Sequence, residues 1–136
     1  MSQAADTNYP TRQLCQFLAD FKLTDVPAPV IERTKDLFLD WIASAIAGKD
    51  APAVRRLQEF AAAMGPAQGG AEVLVDRRRT SPYFAALING ASSHVVEQDD
   101  VHNGSVLHPA AVVFPAVVAA AQAEGKTGPE GLLASF

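Results

Sequence analysis

Residues 82–125, PYFAALINGASSHVVEQDDVHNGSVLHPAAVVFPAVVAAAQAEG, decide the fold of this chain. Two almost uncharged segments enclose a polar one, His94–His108, which holds all three histidines and three of the fifteen acids. Thr80 or Ser81 ahead of Pro82 predicts the start of a helix with Phe84, Ala85, Leu87, Ile88 and Ala91 as its apolar positions. Pro109 opens a second helix, rich in Ala and Val, that runs to Gly125 and is apolar nearly all round. Such a helix must be covered on several sides. Pro115 within it removes a backbone donor and crowds the preceding turn, which predicts a kink.

Working outward, the upstream sequence also reads as helix. Thr11 can cap a helix whose apolar positions Leu14, Phe17, Leu18 and Phe21 share one face, and Cys15 is assigned to the core beside them. The turn TDVPAP leads into a longer helix with Pro29 in its first turn. Its stripe is Val30, Leu37, Phe38, Trp41, Ile42, Ala45 and Ile46, and Gly48 ends it. A third helix begins near Pro52 with Val54, Leu57, Phe60, Ala61 and Met64 on one face. Glu72–Asp76 alternates weakly, but one strand without a partner makes no sheet. The expected class is therefore all-α, a helical bundle-like domain over residues 11–136 behind a disordered tail of residues 1–10. Thr127–Glu130 has the form of a capping box and announces a sixth helix through Leu132, Leu133 and Phe136. About two turns without a C-terminal cap predict the first part of a larger protein.

Composition narrows the function. At 49% hydrophobic and 19% charged, the 136 residues suit one globular domain. A net charge of −4 argues against nucleic acid as the main partner. Arg77-Arg78-Arg79 is a local exception that could grip a polyanion but reads as solvated surface. The single cysteine excludes an internal disulfide framework. The polar first ten residues carry no secretory signal, and the apolar run from Ala110 to Ala121 is too short to span a bilayer. No membrane association is expected, and a cytoplasmic location is.

Chemistry is sought in the polar segment, because titratable groups beside apolar helices are retained where they are paired or used. His94, Glu97, Asp99, Asp100 and His102 are mixed nitrogen and oxygen donors suited to zinc, iron or manganese. Their spacing matches no strong signature such as HExxH. Acid–base catalysis without metal is the other reading. Adjacent Asp99 and Asp100 point in different directions, so one can face a substrate while the other holds a histidine or caps a helix. His108 precedes proline, which pushes it toward an extended backbone at the mouth of the next helix, where the dipole favours anions. Asn103-Gly104 reads as a turn, and His94 is as well explained by packing as by catalysis.

Asn89-Gly90, His94, Asp99-Asp100, His102, Gly104, His108-Pro109 and Pro115-Ala116 together resemble, without a gap, the central motif of the MmgE/PrpD family. That family includes 2-methylcitrate dehydratase, cis-aconitate decarboxylase and iminodisuccinate epimerase. Asp40–Gly48 and Arg79-Thr80-Ser81-Pro82 also resemble its pattern. The resemblance implies a mostly helical first domain, a later and smaller α+β lid domain, and a homodimer. It implies reactions next to a carboxylate of a small di- or tricarboxylic acid, with neither metal nor organic cofactor. His108 matches an active-site histidine, and Glu97 stands where relatives carry an active-site aspartate. His108 and Glu97 are thus the expected catalytic pair, with Asp99, Asp100, Val101 and His102 on the substrate. Val101 replaces a substrate-contacting threonine, and the loss of that hydroxyl predicts a substrate unlike that of threonine-bearing members. The expected activity is a dehydratase-like lyase, with an isomerase or decarboxylase of the same family as the alternative. A non-catalytic helical interaction module is the reading from another class.

Overall fold

The computed structural model describes residues 9–126 together with Gly128 and Gly131. Within them lie five α-helices: α1 (Pro10–Asp20), α2 (Ala28–Gly48), α3 (Pro52–Met64), α4 (Pro82–His94) and α5 (Pro109–Ala123). A short 3-10 turn, Leu23–Asp25, links α1 to α2. The helical class is as the sequence predicts. Strand pairing is the correction: β1 (Ala71–Glu72) pairs antiparallel with β2 (Arg79–Thr80), Ala71 opposite Thr80. The extended segment read at Glu72–Asp76 finds its partner across the turn that the arginines occupy. Apart from Gly128 and Gly131, the sixth helix expected from Thr127–Glu130 and Leu132, like the tail up to residue 8, lies outside the described residues.

All five helices carry proline at one of their first two positions, where the missing N–H costs nothing. Ser81 caps α4 by accepting a hydrogen bond from Phe84 N–H at 3.4 Å. At the far end of α5, Lys126 N–H donates to Ala121 O at 2.8 Å and Gly125 N–H to Gln122 O at 3.3 Å, with Gly125 at φ +65°. This is the paired closure that a left-handed glycine permits.

Helices α2, α4 and α5 form the centre, and α3 and the hairpin pack on α4. Two apolar clusters result. One gathers Val54, Ala61, Ala71, Val73, Ala85, Ile88 and Ala119 between α3, α4, α5 and the hairpin. The other sets Trp41 and Phe114, with ring centroids 5.8 Å apart, beside Ala110. Trp41 is fully buried, and its indole nitrogen has no hydrogen-bond partner among the described residues.

Small residues let the central helices approach. Gly48 is the last residue of α2, as the sequence predicts, and it is itself helical, with Lys49 as the C-cap. Its role is contact: a Cβ there would collide with the Ser92 carbonyl oxygen and stand 2.7 Å from a Val95 methyl. Gly48→Ala is therefore expected to cost about 2 kcal/mol of stability by overpacking. The same change in an open helix would gain ~1 kcal/mol, so the sign seen in chemical denaturation decides. Gly90 plays the same part toward α5, where an added Cβ would lie 3.0 Å from the Ala111 carbonyl. That carbonyl is the one whose usual helical donor is lost at Pro115.

The apolar stripe of α1 is not buried as expected. Leu14, Phe17 and Leu18 are more than half exposed, α1 buries none of its residues, and Cys15 is exposed rather than core. Phe60, Met64 and Ile46 are likewise exposed. No helix among the described residues is long and apolar enough to cross a membrane.

Candidate active site

The end of α4 delivers the first component. Ser92 and Ser93, both fully buried, turn their hydroxyls back onto the carbonyls of Asn89 and Gly90, so the last turn is held without outside partners. His94 is the final residue of that helix. The chain then reverses: Glu97 N–H donates to His94 O at 2.8 Å, and Glu97 adopts φ +49°. A left-handed non-glycine residue is uncommon and marks a backbone held by its surroundings. The reversal brings Asp99 back against His94.

Asp99 is the centre of the site. Its side chain is fully buried, with Oδ1 3.2 Å and Oδ2 3.3 Å from His94 Nδ1. Oδ2 also lies 3.4 Å from Nδ1 of His108. The two imidazoles meet edge to face, centroids 4.7 Å apart. His108 Nδ1 is buried and close to the carboxylate, yet its alignment does not make a hydrogen bond. The contact is one of proximity. A buried carboxylate needs polar neighbours, and here two imidazoles, one at the end of α4 and one at the N-cap of α5, supply them.

His108 sits at the N-cap of α5 with φ −102° and ψ 87°, clear of the helical region as the following proline requires. Its side chain does not cap the helix. Asp100 does so in its place, Oδ1 accepting from Ala110 N–H at 2.9 Å. The adjacent acids thus divide the work: Asp99 holds histidines and Asp100 satisfies the positive end of α5. Part of the anion-binding capacity expected at that terminus is taken by Asp100 itself.

The remaining candidates stand apart. Glu97 is exposed, and its carboxylate makes no hydrogen bond or ion pair among the described residues. Val101 is exposed as well. His102 belongs to a small loop closed by His102 N–H to Leu107 O at 2.8 Å, its ring nitrogen 2.8 Å from Ser105 Oγ. Asn103-Gly104 forms the turn there, but the strained residue is Val106, at φ +53°. The arginine run is structural. Arg77 pairs with Glu72, Arg78 with Asp76, and Arg79 donates to the carbonyls of Gly69 and Gly70.

The structure therefore brings His94, Asp99 and His108 together and leaves Glu97, Val101 and His102 outside their contacts. The sequence assigns Asp99 to substrate and leaves His94 between packing and catalysis, and the structure sets the two side chains against each other. The available signal was the acidic pair itself, since two neighbouring acids cannot serve the same direction.

A family model described as the MmgE/PrpD N-terminal domain matches residues 12–136. The chain is similar to the cis-aconitate decarboxylase-like protein oryM of Aspergillus oryzae, 36% identical over 120 residues, covering 85% of this chain and 24% of that protein. It is 34% identical to cis-aconitate decarboxylase of Aspergillus terreus over 131 residues, covering 92% of this chain and 26% of that protein. It thus spans about a quarter of the length of these relatives. The family match over almost the whole chain, supported by these relatives, shows that the chain belongs to the MmgE/PrpD family and represents its N-terminal domain.

Proposed function

We propose that this domain supplies half of the active site of a lyase that works without a cofactor next to a carboxylate of a small di- or tricarboxylic acid. The observation that carries the reading is the His94–Asp99–His108 cluster at the start of α5, two imidazoles on one buried carboxylate. An imidazole so fixed can give or take a proton at a defined place, which general acid–base catalysis requires. His108 is the proposed proton donor or acceptor at the carbon beside the substrate carboxylate. Asp99 orients it. Glu97, exposed near the same reversal of chain, is the proposed second acid–base group, with Asp100, Val101 and His102 facing substrate.

Dehydration was the reaction expected from the sequence, and decarboxylation is the one in the names of the relatives. Both share a proton transfer beside a carboxylate and differ in what leaves. Val101 offers no hydroxyl, so the substrate is proposed to differ from that of threonine-bearing relatives. A homodimer fits the exposed apolar faces of α1 and α2, which call for cover.

The test is to incubate the whole protein with small di- and tricarboxylates, cis-aconitate included, in deuterated water and follow them by NMR. Loss of water gives the dehydratase, loss of carbon dioxide the decarboxylase, and deuterium uptake without loss the isomerase. Absence of turnover and of exchange with every acid would sink the proposal.

A further inference from the structure

We propose that His94, Asp99 and His108 also form a binding site for a single divalent transition-metal ion of the zinc class. The inference goes beyond the lyase reading and does not require it. A nitrogen from each imidazole and a carboxylate oxygen all lie within 4.8 Å of one another. The separations of the two imidazole nitrogens from the same oxygen, Asp99 Oδ2, are 3.3 Å and 3.4 Å, already close to the edge of a metal tetrahedron. With bonds of ~2.0–2.1 Å to nitrogen and oxygen, that edge is about 3.3 Å. The third edge, at most 4.8 Å, closes with a turn of the His94 ring, whose side chain is 47% exposed.

Two further observations point to a cation. The Asp99 side chain is fully buried and turns its oxygens to two imidazole nitrogens, so that three ligand-type atoms face one another. His108 Nδ1 is buried without a hydrogen bond, and such atoms are rare because each forgoes the energy of a partner. An ion between the three groups would satisfy both at once.

Donor chemistry selects the class. Two imidazoles and one carboxylate suit zinc and its neighbours, whereas magnesium and calcium demand more oxygen donors. Three protein ligands leave a coordination position open, and the exposed side of His94 places it toward solvent. The positive end of α5 would oppose a cation, but Asp100 already lies on it. Because His108 would be a ligand, an ion bound here competes for the group assigned to proton transfer.

Zinc is titrated into the full chain at neutral pH against a chromophoric chelator, and cobalt(II) is used for its absorption spectrum. One ion per chain is expected, with a four-coordinate cobalt spectrum. His94→Ala and Asp99→Asn should each weaken binding by about tenfold or more, and His102→Ala should leave it unchanged. Circular dichroism checks each variant; if Asp99→Asn fails to fold, the half-exposed His94→Ala decides alone. No binding at micromolar zinc, or equal loss in His102→Ala and His94→Ala, overturns the site. No substrate enters the measurement, so the lyase reading can fail while the metal site stands, and the reverse.

Discussion

His108→Ala is expected to lower turnover of the whole protein by about 100- to 10,000-fold, the range associated with losing a positioned acid–base group. The fold should survive, for three reasons. The His108 side chain makes no capping hydrogen bond to α5. Asp100 satisfies Ala110 N–H from the other side, and Asp99 keeps its contact with His94. Loss of activity with an unchanged unfolding transition is thus the expected pair of results. The KM should move little if His108 acts on the reacting carbon alone. Intact turnover in a folded His108→Ala protein would move the chemistry elsewhere. Asp99→Asn and Glu97→Gln then separate two partners. If contact decides, Asp99→Asn is the more damaging, since Asp99 touches His108 and Glu97 does not.

Asn89→Ala is expected to destabilise the domain by about 3 kcal/mol through two stranded backbone groups. Asn89 is completely buried in α4, and both ends of its amide are used. Oδ1 accepts from Leu74 N–H at 2.8 Å, while Nδ2 donates to Glu72 O at 3.0 Å. The side chain thus substitutes for a neighbouring strand, fixing the segment after β1 against the helix. Alanine leaves a donor and an acceptor without partners and opens a small cavity. Asn89→Asp gives a sharper comparison. It keeps the acceptor for Leu74 but sets a carboxylate oxygen against the Glu72 carbonyl, so it should also destabilise despite its equal size. Urea denaturation of both variants reads the outcome, and a stable Asn89→Asp protein would show that the Glu72 bond contributes nothing.

These residues also mark how far the sequence could be read. Proline and glycine punctuation placed the starts of α2, α3, α4 and α5 well, because those signals act on the local backbone. The division of labour between Asp99 and Asp100 was legible in outline, but not which acid did which. That depends on the reversal at Glu97, and left-handed glutamate has no local signature. Periodicity marked Leu14, Phe17 and Leu18 as one face of a helix, yet could not say whether anything covers it. The strand pair has no clear local pattern because each strand is two residues long, and β1 is held at Glu72 by Asn89 and Gln122 from distant helices. Asn89-Gly90 was recognised as pattern alone. The structure supplies its cause, an amide that clamps one neighbour and an absent side chain that admits another.

The exposure of α1 has a thermodynamic meaning. An eleven-residue helix that buries none of its residues draws little from the core and is short for a helix on its own. Among the described residues α1 therefore adds little to the stability that α2, α3, α4 and α5 share, and its own is set by the surface it meets.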